Sequence, residues 1–344
     1  MLIISSLGTL GFVVCFCLTL GLRSWSKRLG LIDVPNSRSG HSIPTPKGGG
    51  LAFCLSFFLV TGSMILLGVL PKDIAFPLFF GGPVVAILGW VDDRFTISAW
   101  IRLIVHFMVA IFICYLVTGW GQVPIEISFL PKVPWLNFIF CIFFITWCIN
   151  LFNFMDGADG LVTSVSIVAS LLLAVVAYSH GAENLVSIYV VFAYCLFGFL
   201  LHNWPPAKIF MGDSGSYFIG FFFSVMALIS KLYSNISFYA HIVLFAPFIC
   251  DTTYTLVMRF LRGERVYNAH RQQAFHKAID SGWTPQKLSF MYITITILWL
   301  FPLANLAVLY NLFGIVFVII AYLPMILFQV YFKAGLPEKR DVLK

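Results

Sequence analysis

The sequence predicts an all-α integral membrane protein. Hydrophobic residues make up 60% of 344 positions, 37 of them Phe, and mean hydropathy is +0.95. A water-soluble core cannot hide that much apolar surface, whereas a bilayer accepts it. Apolar runs of about 20 residues, the length of one bilayer crossing, recur along the chain. Charged residues are only 10% of the total and fall mostly between those runs.

The runs define about eleven transmembrane helices in one polytopic domain, 1–344. They lie near 2–22, 49–70, 75–91, 101–119, 135–151, 161–179, 184–202, 215–232, 238–258, 289–309 and 312–332. The first run has no basic residue before it, and Arg23, Lys27 and Arg28 follow it. That charge order fits a retained helix with its N-terminus outside and a cytoplasmic C-terminus. In this orientation 18 of the 21 Lys+Arg lie inside, leaving Lys72, Lys132 and Lys231 outside. The net charge of +7 is then a topological signal, and no nucleic acid is needed to explain it. The outer loop 120–134 alternates Val123, Ile125, Ile127 and Phe129 between prolines, which predicts a small periplasmic β-hairpin. All eight cysteines fall inside apolar runs without metal-ligand spacing. They are expected to be buried small side chains.

The polar residues collect in the inner loops. Asn150, Asn153, Asp156 and Asp159 close the fifth run, Asp92 and Asp93 the third, and Asp213 precedes the eighth. An ionised group at a helix centre costs about 2.5–3.5 kcal/mol on insertion scales, so these acids need a reason to be there. Asp156 and Asp159, like Asn150 and Asn153, are spaced i,i+3 and share a side of any helical turn. Clustered carboxylates repel, and a divalent cation removes the conflict. An all-oxygen donor set points to Mg²⁺ or Mn²⁺ rather than Zn²⁺.

The basic residues suggest what the cation accompanies. Loop 23–48 carries Arg38, His41 and Lys47 before Gly48-Gly49-Gly50. Backbone N–H groups at such a helix start can hold a phosphate, or the glycines can serve close helix packing. In loop 203–216, Lys208 suits a phosphate, Phe210 a base, and Asp213 a cation or a helix cap. Loop 259–288 carries His270, Arg271 and His276, with a helix expected over 268–281 and a Thr284-Pro285 start to the next span. The residues alone therefore suggest phosphoryl transfer at the cytoplasmic membrane surface, with a lipid as one substrate.

Four motifs make the chain resemble a known family. They are Asp33-Val-Pro-Asn36-x-Arg38-x-x-His41-x-x-Pro44-Thr45-Pro46-x-Gly48-Gly49-Gly50, then Asp92-Asp93-Arg94, then Asn153-Phe-Met-Asp156-Gly-x-Asp159-Gly160-Leu161, and Pro206-Ala-Lys208-Ile-Phe210-Met-Gly212-Asp213-Ser214-Gly215-Ser216. They are similar to those of the polyprenyl-phosphate N-acetylhexosamine-1-phosphate transferases, glycosyl transferase family 4. The resemblance implies a bacterial inner-membrane enzyme with its site on the cytoplasmic face. It would pass a sugar-1-phosphate from a UDP-HexNAc to undecaprenyl phosphate, release UMP and require Mg²⁺. It also implies roles: Asp92 at the lipid phosphate, Asp93 beside the metal, Asp213 as metal ligand, Asn153, Asp156 and Asp159 in catalysis and nucleotide binding, Phe210 near uracil. Arg38, His41, Lys47, Asn150, Lys208, His270 and Arg271 are expected to bind substrate. A homodimer is left open.

The last loop departs from the family pattern. His-Arg-x-His-x-Tyr-Gln is usual, and here Gln273 takes the second His position while His276 stands where Gln is expected. That argues against the peptidoglycan branch, while the Asp33-to-Gly50 motif resembles that of enzymes that start O-antigen or related surface glycans. The rival reading is an ion-coupled transporter that uses the aspartates as ion sites. Transporters tend to place charges near the midplane in repeated halves. Here the charges gather at helix ends, and the sequence shows no repeat.

Overall fold

In a computed structural model of the chain, residues 2–35, 43–119, 133–234, 236–266 and 270–337 are described. The protein is an all-α integral membrane protein. Its helices are α1 Leu2–Leu29, α2 Gly50–Leu66, α3 Lys72–Phe95, α4 Ala99–Thr118, α5 Pro134–Met155, α6 Leu161–Ser179, α7 Glu183–Asn203, α8 Asp213–Ser234, α9 Phe238–Leu244, α10 Ala246–Leu261, α11 Ala274–Asp280, α12 Pro285–Ile295, α13 Phe301–Leu309 and α14 Gly314–Tyr331. Among the described residues, nine helices are long and apolar enough to cross a bilayer, taking α12 and α13 as one through the wide turn at Thr296–Leu300. The α9–α10 pair adds a broken span bent by 73°. Each predicted run overlaps a helix, but α2, at 17 residues, falls short of a full crossing. The predicted hairpin at 120–134 lies almost wholly outside the described residues.

The packing follows from where small and aromatic residues sit. Helix α8 is the most buried span and packs against α2, α3 and α5. Lipid tails are as apolar as Leu, so close backbone approach, rather than the hydrophobic effect, holds such helices together. Gly89 of α3 lies directly on the Asp213–Ser214 backbone, and Gly220 of α8 lies on the Cys148 carbonyl of α5. Aromatic rings fill the remaining space: Phe192 stacks on Phe222 at 3.8 Å between centroids, and Phe57 meets both edge-on at 5.5 Å.

Two departures from expectation shape the polar end. The third helix runs through Asp92 and Asp93 to Phe95, so these acids are helical rather than in a loop. Of the expected helix over 268–281, the described residues form Ala274–Asp280, with 270–273 not helical. By contrast Thr284 caps α12 as predicted, accepting a hydrogen bond from the Lys287 N–H with Pro285 following. The loop after α1 contains a two-residue antiparallel bridge, Ile32–Asp33 with Thr45–Pro46. The ends of α3, α5 and α7 and the starts of α4, α6 and α8 meet at one end of the bundle. Pro71, Glu183 and Tyr233 group together away from them.

Candidate active site

Where the helix ends meet, a cavity of about 480 Å³ opens. Asp93 comes from the last turn of α3, Asn153 and Asp156 from the end of α5, Asp159 from the turn into α6, and Asp213 from the start of α8. Lys47, Phe210, Arg271 and His276 complete the part of the wall that carries chemistry. The short β bridge explains how Asp33 and Lys47 reach it: pairing Asp33 with Thr45 fixes the strand that ends just before Lys47.

The triple glycine does not hold a phosphate here. The Gly49 and Gly50 N–H groups donate to the Phe210 and Met211 carbonyls at 2.9 and 2.8 Å, and the Phe210 N–H donates to the Pro46 carbonyl at 2.8 Å. A side chain at Gly50 would collide with the Gly215 backbone. Of the two readings, close packing prevails: the glycines lock the 209–215 segment so that Phe210 and Asp213 face the cavity.

Asp213 is held by its neighbours. Asn153 Nδ2 donates to its Oδ1 at 2.7 Å and also to Ser216 Oγ at 3.1 Å. Asp93 lies under the Gly212–Ser214 backbone, 3.5 Å from the Ser214 N–H, with Lys47 Nζ at 3.9 Å. Asp159 accepts from the Ala207 N–H at 2.9 Å. Asn203 ties that turn down, accepting from Gly160 N–H and Thr163 Oγ and donating to the Ile209 carbonyl. Burial, then the charges of Asp93 and Asp159, lifts Asp156 to about 8. His276 is pushed down to about 3 by burial, then by Arg271 and His270, so its ring is neutral at ordinary pH.

The structure brings together Lys47, Asp93, Asn153, Asp156, Asp159, Phe210, Asp213 and Arg271. Other expected residues stand apart from the cavity. Asn150 spends its amide on the Thr146 carbonyl at 2.8 Å and on His106 Nδ1 at 3.3 Å. Asp92 is buried behind the wall, accepting from Arg102 Nη1 and Ile97 N–H, each at 2.6 Å, and from Tyr217 OH at 3.2 Å. Lys208 is exposed and does not line the cavity, and His270 accepts from the Gln272 N–H. Arg38 and His41 lie outside the described residues.

Arg102, Tyr217 and Asp251 escaped the sequence reading, and Gln273 entered it only as a departure from the family motif. Arg102 bridges Asp92 and Asp213, the latter at 3.8 Å. Gln273 Nε2 donates to the Phe154 carbonyl at 3.0 Å. Asp251 alone gave a signal, a lone carboxylate inside a predicted span.

Among the described residues, no three His, Cys, Asp or Glu side chains form a ready metal cage. The donor set still suits a hard cation. Mg²⁺ is usually held by one or two carboxylates and completed by substrate phosphates and water, and Asp93 and Asp213 are two carboxylates on one open wall.

Fold and cavity thus define a multi-pass membrane protein with an acidic site at one end of its helices, edged by cations. A profile described as glycosyl transferase family 4 matches residues 75–231, which carry all the cavity's aspartates except Asp33. A protein of Bacillus subtilis, described as a probable undecaprenyl-phosphate N-acetylglucosaminyl 1-phosphate transferase, is 28% identical over 74% of this chain and 71% of its own length. An undecaprenyl-phosphate alpha-N-acetylglucosaminyl 1-phosphate transferase of Thermotoga maritima is 30% identical over 73% of this chain and 72% of its own length. A phospho-N-acetylmuramoyl-pentapeptide-transferase of Fervidobacterium nodosum is 27% identical over 74% and 79%. The chain belongs to glycosyl transferase family 4, as a membrane phosphotransferase of the polyprenyl-phosphate HexNAc-1-phosphate transferase kind.

Proposed function

We propose that the protein transfers HexNAc-1-phosphate from a UDP-HexNAc to undecaprenyl phosphate, forming polyprenyl-diphosphate-HexNAc and releasing UMP. The step would open synthesis of an O-antigen-like surface glycan at the cytoplasmic face of a bacterial inner membrane. One observation carries the reading: four aspartates from separate helix ends share a single cavity with Lys47, Arg271 and an aromatic ring. The excess of Lys+Arg on the same side supports the cytoplasmic orientation.

The chemistry follows from the wall. Phe210 offers a stacking face for uracil. Lys47 and Arg271, both on the cavity wall, would bind the diphosphate, and Arg can do so bidentately. Asp93 and Asp213 would hold Mg²⁺ or Mn²⁺, which supplies charge neutralisation of the diphosphate when bound. An oxygen of the lipid phosphate attacks the sugar-bearing phosphorus, and the bond to the departing UMP phosphate breaks. A phosphate monoester is already a competent nucleophile, so no aspartyl intermediate is required. Asp156, whose carboxyl burial keeps partly protonated near neutrality, can share a proton with phosphate or sugar oxygens.

The test is direct. Purified protein in detergent or nanodiscs is given undecaprenyl phosphate, a panel of UDP-HexNAc donors and Mg²⁺, and UMP release is followed. Release with at least one donor, dependent on the lipid, is expected. Folded protein that turns over none of them refutes the reading.

A further inference from the structure

We propose that Asp251 is a positioning residue for the donor end of the cavity. From within the membrane it fixes α11, and through α11 it sets Arg271 and His276. The inference rests on the functional reading above, because it assigns that wall to the UDP-sugar.

Asp251 lies in α10, the second leg of the broken span, and is 0% exposed. An acid at that depth is rare and marks a role by default. Both its oxygens are engaged. Oδ1 accepts from the Ala274 N–H at 2.8 Å, and Oδ2 from the Phe275 N–H at 3.1 Å and Tyr292 OH at 3.4 Å. Gln329 of α14 also reaches the carboxylate. Two successive N–H groups need two acceptor oxygens. An asparagine of the same shape would turn its NH₂ toward one of them. The acid is therefore explained by what it holds, which is the first turn of α11.

That turn leads straight to the cavity. Arg271 and His276 stand on the wall, and the His276 ring rests against Gly157, next to Asp156, with Nδ1 unpartnered. Gln273 makes the second tie, to the Phe154 carbonyl just before the same acid. Asp93 and Asp213 stand on α3 and α8, and the hydrogen bonds of Asp251 go to α11, α12 and α14 instead. Loss of the tether should therefore weaken donor binding and spare the acceptor.

The experiment compares D251N, D251A and Y292F with the wild-type full-length protein. KM is measured separately for UDP-GlcNAc and undecaprenyl phosphate, and backbone hydrogen exchange is followed over 274–280. D251A is expected to raise the donor KM about tenfold, the scale of a lost charge-assisted hydrogen bond, and to leave the acceptor KM within about twofold. Protection of the Ala274 and Phe275 amides should disappear. D251N and Y292F should fall between, and adding H276Q to D251A should change the donor KM little further. The proposal is overturned by a wild-type donor KM despite lost protection, or by both KM values rising together. It is equally overturned by unchanged exchange in all three variants. If the wild type releases no UMP with any donor, the functional reading fails, and exchange alone decides the tether.

Discussion

Asp92→Asn is the sharpest test of how the acidic end is built. The motif invites a direct role for Asp92, but the structure ties it to Ile97, Arg102 and Tyr217, sets it against the Asp213 carboxyl, and gives it no place on the cavity wall. Its Oδ1 accepts from the Ile97 N–H at 2.6 Å. This bond secures the chain reversal after α3, where Thr96 adopts φ 52°, a left-handed conformation unfavourable for a β-branched residue. Its Oδ2 takes Arg102 at 2.6 Å, between side chains 4% and 29% exposed. Asparagine keeps the Ile97 bond but turns its NH₂ toward Arg102 and Tyr217. The loss is one charge-assisted bond, worth about 1.5–3 kcal/mol, and the partial exposure of Arg102 places it near the lower figure. Arg102 and Tyr217 OH, 3.8 and 3.4 Å from Asp213 Oδ2, would then shift toward Asp213 and disturb it. D92N should thus destabilise by about 2 kcal/mol and lower turnover. R102Q should do much the same, and the double variant should be little worse than either. The cycle is measured by unfolding in detergent and by UMP release. Effects that add within about 0.5 kcal/mol, or D92N protein as stable as the wild type, would refute the reasoning.

Gly50→Ala should destabilise by about 1–3 kcal/mol, because the new methyl overpacks against the Gly215 backbone, and an unchanged unfolding midpoint would count against that contact. Asp213→Asn should abolish turnover and the response to added Mg²⁺. A variant that still titrates with Mg²⁺ removes the assignment, and EDTA should silence the wild type reversibly. His276 makes stability depend on pH. Its folded pKa, about 3, lies below the ordinary value of 6.5, so between those limits the unfolded chain binds a proton that the folded one does not. Stability from this group is complete above about pH 6.5 and falls by at most about 1.4 kcal/mol per pH unit as acid is added. H276Q should flatten that slope in pH-dependent unfolding, and an unaltered slope would show that the histidine is not buried neutral.

Much of this architecture was legible because a bilayer imposes a simple code. Apolar length marked the helices, and the aspartates, costly in that setting, marked the site without help from the fold. What stayed hidden were relations between residues far apart in sequence. Asp92 and Asp93 are adjacent in the chain, yet one faces the cavity and the other faces Arg102, because neighbours on a helix point about 100° apart. Their motif could not say which acid would line the cavity. The glycines at 48–50 suit an anion or a tight crossing equally well in one dimension, and only the Phe210 and Met211 carbonyls decide between them. Asn150 and Asn153 share a helix side, but one turn of separation places the first beside His106 and the second on Asp213. Gln273 and His276 looked like a corrupted motif, and in the fold they do different work. Gln273 fastens α11 to the end of α5, while His276 meets the cavity. The departure from the family pattern thus combines a backbone tie at 273 with a ring on the cavity wall at 276.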